Sequence, residues 1–234
     1  MRKILIAAAF AALLLSTSAC YVRFNREAFK NSFVLGEGSI QTETRELDSF
    51  TSLRMVGFGD VVFVQSEGDP YVEITDYENL LPYVHTDVLL NELSISVGAD
   101  SIGSFQNTRL EIIVHAPYLE KVSLAGSGDF SASGLDCPVD FSLSLAGSGD
   151  VEIEALSCMD LNVSLAGSGD VVVGGRIAGM ATASLAGSGD IVLSGSAASA
   201  SLAVAGSGDI DASRLEVSGE TSKSVRGSGD IRTR

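Results

Sequence analysis

The tetrapeptide Gly-Ser-Gly-Asp occurs six times in the last half of the chain, with aspartates at Asp129, Asp150, Asp170, Asp190, Asp209 and Asp230, spaced 21, 20, 20, 19 and 21 residues apart. A near-constant period of about 20 residues is too short for a helix pair and suits one turn of stacked strands. The chain therefore reads as all-β, a β-solenoid in which each repeat is one rung.

Aligned on the aspartate, the repeats give two inward columns before the corner. One is Leu124, Leu145, Leu165, Leu185, Val204 and Val225; the other is Val122, Leu143, Val163, Ala183, Leu202 and Lys223. After the corner come Phe130, Val151, Val171, Ile191, Ile210 and Ile231, and two positions further Ala132, Ile153, Val173, Leu193 and Ala212. Alternation at period two sends these columns to one face. Between the first two lies a polar ladder, Ser123, Ser144, Ser164, Ser184, Ala203 and Ser224. Each rung reads as strand, corner, strand and a variable return. In the last rung Lys223 and Arg226 break the pattern and Arg232 and Arg234 follow, charges that blunt an open strand edge.

The corner glycines answer a need for positive φ or for backbone against backbone. The aspartates have two readings. As Asx-type acceptors, each carboxylate takes N–H groups of its own or the next rung. As a calcium ladder, the six carboxylates would share ions between rungs, since calcium–oxygen bonds of about 2.3–2.6 Å can bridge neighbours about 4.8 Å apart. The first is the expectation, because one acid and one hydroxyl per corner cannot readily supply six to eight oxygens. No cofactor or resident metal is expected.

Residues 50–65, FTSLRMVGFGDVVFVQ, form a degenerate first rung, with Gly57-Phe58-Gly59-Asp60 in place of the tetrapeptide. Between Asp60 and Asp129 lie about 49 residues more than one period. They hold strand-like segments at 71–75, 92–97 and 109–115 and a helical turn broken at Pro82. This β-rich insertion is expected to pack over the first full rung and cover its open end.

Residues 1–19 read as a signal peptide: Arg2 and Lys3, an apolar run of 12 residues at 4–15, then Ser16-Thr17-Ser18-Ala19. The apolar run is too short to span a bilayer. Cleavage before Cys20 resembles lipoprotein maturation, in which that cysteine is lipidated and tethers the chain to the membrane. Thr17 stands where the usual lipobox has Leu, and Thr17 with Ala19 also satisfies ordinary signal-peptidase cleavage. Lipidation at Cys20 is the expectation, and it accounts for one of three cysteines, an odd number in an exported protein. Cys137 and Cys158 each follow a repeat aspartate by eight residues, so they occupy equivalent places on neighbouring rungs. A Cys137–Cys158 disulfide is the expectation, with two buried thiols as the alternative. Residues 20–45 read as a tether and 46–234 as the solenoid domain, with the first rung and insertion at 46–120 and regular rungs at 121–234.

Without Arg2 and Lys3 the chain keeps 13 basic against 30 acidic residues, a net charge near −17. Nucleic acid is excluded as a partner, since no basic stripe could neutralise phosphates. The two histidines, His85 and His115, lie in the insertion without a Ser/His/Asp order or metal-ligand spacing around them, and read as strand-surface residues.

The segments ENLLPYVHTDVLLNELSISV (78–97) and RLEIIVHAPYLEKVSLAGSGDF (109–130), with the reiterated SLAGSGD, resemble the "putative auto-transporter adhesin, head GIN domain" family of bacterial envelope proteins. The resemblance covers about residues 46–234 and implies a β-helix-like domain on exported proteins, often lipoproteins; it brings no catalytic or ligand residues. The expected function is a non-enzymatic module of the cell envelope, an outer-membrane lipoprotein that presents a rigid acidic rod to protein or glycan. A purely structural component and a carbohydrate-active β-helix enzyme are the alternatives. The sequence does not define an oligomeric state.

Overall fold

Period-two alternation makes each repeat extended, and the core shows why it must stack: a lone rung would leave its inward Leu, Val and Ile in water. The computed structural model describes residues 33–98 and 104–234, which form a β-solenoid of about five turns with a β-rich end. The N-terminal region contains β1 (Phe33–Leu35), β2 (Ile40–Glu46), β3 (Ser52–Gly57), β4 (Asp60–Gln65), β5 (Tyr71–Tyr77), a 3-10 turn (Leu81–Tyr83), β6 (Val84–Leu89), β7 (Glu92–Val97), β8 (Ser104–Gln106) and β9 (Glu111–Ala116).

Regular rungs follow as strand pairs flanking each corner. These are β10 (Lys121–Gly126) with β11 (Phe130–Ala132) and its continuation β12 (Leu135–Asp136), then β13 (Phe141–Gly147) with β14 (Val151–Cys158), and β15 (Leu161–Gly167) with β16 (Val171–Ile177). After them come β17 (Met180–Gly187) with β18 (Ile191–Ala197), β19 (Ser199–Gly206) with β20 (Ile210–Val217), and β21 (Thr221–Gly227) with β22 (Ile231–Thr233).

The first member of every pair joins a nine-stranded sheet, in the order β21-β19-β17-β15-β13-β10-β3-β7-β6. The second joins an eleven-stranded sheet running from β2 through β5, β9 and β4 to β22. Rung strands pair in parallel and in register, so Leu145, Leu165, Leu185 and Val204 stack directly. Both inward columns are buried up to β19, and those after the corner throughout. Burying such a side chain stabilises by roughly 1.5–3 kcal/mol, and only stacking provides that burial. The degenerate rung is in frame, with Leu53 opposite Val122, Met55 opposite Leu124 and Gly57 opposite Gly126.

The variable return is more structured than its sequence suggests. In β14 the burial phase shifts between Ile153 and Leu156, where Glu154 and Ala155 both face solvent. Past this bend Leu156, Cys158, Ile177, Ala197 and Leu215 add to the core.

The insertion supplies a further parallel rung, β7 against β3 and β9 against β4, and then reverses direction: β6 on β7 and β5 on β9 are antiparallel. It covers the degenerate rung β3–β4, not the first full rung, because β10 and β11 pack on β3 and β4 themselves. Pro82 lies inside the 3-10 turn, not at a break. Asp76, the one buried charged residue among those described, holds the approach to β9. Its Oδ1 accepts the amides of Tyr77 and Arg109, and its Oδ2 the Thr108 hydroxyl, each at 2.8 Å.

From residue 33 onward the tether reading of 20–45 is corrected, because β2 pairs with β5 over its whole length. Its side chains are nearly all exposed, so an edge strand here carries the polarity of a linker. Arg45 fastens it: Nη1 donates to the Val84 carbonyl at 2.6 Å and to Thr86 Oγ1 at 3.2 Å, and Nη2 to the Leu81 carbonyl at 3.3 Å. The signal peptide and Cys20 lie outside the described residues.

Candidate functional site

Each corner has two glycines, and a Cβ on either would overlap the backbone of the neighbouring rung. The first, at Gly167, would meet the Gly147 carbonyl oxygen and also sits at positive φ, 154°. The second, Gly169, lies so close to the rung below that a Cβ would overlap the Gly149 carbonyl oxygen. Two backbones thus meet at the corner with nothing between them, and this places the aspartates in a column.

The carboxylates are acceptors within that column. Oδ1 of Asp129 accepts the amide of Asp150, and the pattern repeats for Asp150 and Asp170, Asp170 and Asp190, Asp190 and Asp209, and Asp209 and Asp230, each at 2.8 Å. The donor is the next aspartate's own N–H, not the Gly-Ser-Gly amides. Like charges about 5 Å apart repel by about 0.8 kcal/mol in water, whereas a hydrogen bond to a charged group stabilises by about 1.5–3 kcal/mol. At the last corner Arg232 adds an ion pair to Asp209 at 3.0 Å, and Arg234 meets Glu216 at 2.6 Å. Among the described residues no group of three or more His, Cys, Asp or Glu side chains is arranged to hold a metal ion.

The outer face of the nine-stranded sheet is hydroxyl-rich. Ser123, Ser144, Ser164 and Ser184 are in register on β10, β13, β15 and β17, beside a second column of Ser142, Asn162 and Thr182. A shallow concavity of about 320 Å³ lies over both columns.

The Cys137–Cys158 disulfide expected from spacing is absent; both are free and buried. They do lie on neighbouring rungs, as the Cys137 amide donating to the Ser157 carbonyl at 2.8 Å shows. The Cys137 thiol instead faces carbonyls of its own turn, Val139 at 3.6 Å and Asp140 at 3.7 Å. Burial pushes the Cys158 thiol up to about 12, with Cys137 and nearby acids adding to the effect. Burial likewise raises Cys137.

The histidines are not brought together, since His85 lies on β6 of one sheet and His115 on β9 of the other. His115 stacks on Tyr71 with ring centroids 4.3 Å apart, and its Nε2 lies 3.5 Å from Glu73. Sequence reasoning missed the core column past the β14 bend, whose signal was the apolar residue at Leu135, Leu156 and Leu215, interrupted by Gly175 and Gly195 in the same register.

Solved structures share the architecture. A protein from Parabacteroides distasonis described as a putative lipid binding protein is 25% identical, with a TM-score of 0.75, and the match covers 86% of this chain and 99% of that one. A putative adhesin from Bacteroides fragilis is 23% identical with a TM-score of 0.69, covering 86% and 100%. A putative adhesin from Parabacteroides merdae is 21% identical with a TM-score of 0.56, covering 86% and 99%. No curated protein matches the chain. The family described as "Putative auto-transporter adhesin, head GIN domain" matches residues 49–190 and 178–234, which take in the degenerate rung, the insertion and every corner, and the chain belongs to that family.

Proposed function

We propose that this chain is a non-enzymatic binding module of the cell envelope, held at the outer membrane by a lipid on Cys20, that presents its hydroxyl face to a protein or glycan partner. The observation that carries this reading is the in-register column of Ser123, Ser144, Ser164 and Ser184 on a sheet fixed by parallel pairing from β21 to β3. Equal spacing of about 4.8 Å between donors that are also acceptors suits a repetitive or extended partner. Rigidity lowers the entropy lost on contact. The adhesin descriptions of the family and of two solved relatives support an envelope role.

The test is capture from native envelope. Ser144, Ser164 and Ser184 changed together to Phe, with the fold retained by circular dichroism, lose partner capture. Unchanged capture removes the face from the reading. Turnover on a panel of acidic and neutral polysaccharides would instead mark an enzyme. Mass spectrometry of the mature N-terminus checks the anchor, and an unmodified Cys20 overturns it.

A further inference from the structure

Opposite the aspartate corners, each rung returns from the eleven-stranded sheet to the nine-stranded one. Tyr118, Val139, Met159 and Met180 stand on this return edge with relative exposures of 55%, 47%, 51% and 45%. The main chain stacks Met159 on Val139, whose carbonyl accepts the Met159 amide at 3.0 Å; Gly179 takes the next place, its amide donating to the Met159 carbonyl at 2.8 Å, with Met180 one residue beyond. At the other end the edge reaches the turn between β6 and β7, where the Asn91 carbonyl accepts the amides of Thr51 and Ser52 at 3.0 and 3.1 Å. Leu90 in that turn is 91% exposed at φ 53°. A bulky apolar side chain in the left-handed region and in water is unfavourable on both counts.

The edge is grooved as well as apolar. A concavity of about 290 Å³ lies between Thr51, Tyr118 and Val139, and one of about 180 Å³ continues to Met159 and Ala178; Cys137 and Pro138 line both. Four rung spacings separate Thr51 from Ala178, about 19 Å. Carboxylates rim this stretch. Glu120 lines the first concavity, and the charges of Glu120, Asp136 and Asp140 act on the Cys137 thiol, those of Asp140 and Asp160 on the Cys158 thiol. Arg176 borders the second concavity.

We propose that the return edge is a docking groove for an extended protein segment in which apolar side chains alternate with lysine or arginine. In such a segment alternate side chains face opposite ways, so one set fills the groove and the other reaches the acidic rim. The carboxylates select against an anionic segment and steer a cationic one. This deepens the binding-module reading and rests on it in taking the partner to be a protein.

The experiment uses the full mature chain and a fluorescein-labelled ten-residue peptide of alternating Leu and Lys. Peptides of alternating Leu and Glu, and of alternating Ser and Lys, run beside it, and all are followed by anisotropy at low salt. The Leu–Lys peptide binds at least tenfold more tightly than either control. Val139→Lys with Met159→Lys weakens it at least tenfold. Glu120→Gln with Asp136→Asn weakens it several-fold and flattens its salt dependence. The three-serine variant binds the peptide like the parent, so failure of the hydroxyl face and failure of the groove are separately visible. Equal binding to the parent and the Val139/Met159 variant, or equal binding of the Leu–Glu peptide, overturns the proposal. So does binding to phosphatidylcholine vesicles that this variant alone abolishes, which would make the occupant a membrane surface. Should the double variant fail to fold, Tyr118→Lys carries the same expectation.

Discussion

The amide of Asp170 donates to Oδ1 of Asp150 on the neighbouring rung at 2.8 Å. What matters at this position is the acceptor; the charge is a cost. Asp150→Asn keeps the acceptor and removes repulsion from Asp129 and Asp170, so its Tm equals or exceeds the parent's, most clearly at low salt. Asp150→Ala leaves the Asp170 amide to water and costs about 1 kcal/mol. Denaturation at two ionic strengths checks both, and an Asn variant as weak as Ala would refute the acceptor role. Added calcium leaves the parent's Tm unchanged; a rise would restore the ion-ladder reading.

Gly169 and Gly134 differ in what surrounds them. A Cβ on Gly169 overlaps the Gly149 carbonyl oxygen, whereas a Cβ on Gly134 meets no atom beyond its chain neighbours within 4 Å. Gly169→Ala must push neighbouring rungs away from each other and costs about 3 kcal/mol or more, while Gly134→Ala stays within about 0.5 kcal/mol. Urea midpoints of the two variants give the comparison, and similar values would show that the corner is looser than this packing implies.

Cys158 links stability to alkaline pH. Its folded value of about 12 stands above its ordinary value of 9.0, so the unfolded chain loses the thiol proton first. Its contribution is fully present below pH 9 and is lost as pH rises from about 9 toward about 12. Cys158→Ala therefore narrows its stability gap to the parent across that window. A gap independent of pH would show that the thiol ionises equally in both states.

Arg45 ties the edge strand β2 to the chain around β6 through three acceptors, the carbonyls of Val84 and Leu81 and the Thr86 hydroxyl. Arg45→Ala costs about 2 kcal/mol and speeds amide exchange in β2 and β6. Lys does not rescue it, because an ammonium cannot span the same fork of acceptors. Full rescue by Lys would assign the effect to charge alone.

The regular rungs were legible because each position repeats. Val163 and Leu165 alternate with Asn162 and Ser164, and Val122, Leu143 and Leu202 say the same thing again. Two places were not. Residues 40–46, IQTETRE, become a strand because β5 offers an edge to pair with, and an exposed edge strand has no apolar face for a sequence to display. Along the second strand of each rung the bend between Ile153 and Leu156 shifts the alternation, so the column that continues through Leu156 falls out of phase with the one before it.

The sequence alone determined the solenoid, its rung length, the corner glycines and the inward columns, because those depend on local backbone needs repeated at a fixed interval. Tertiary structure decided which partner each group takes. It gave the aspartate carboxylates to the next rung's amides, left Cys137 and Cys158 as separate thiols despite their matched positions, and gathered Tyr118, Val139 and Met159 onto one edge. Those outcomes follow from the direction of each side chain and from the hydrogen-bond partners within reach once the rungs are stacked, which the 20-residue spacing does not encode.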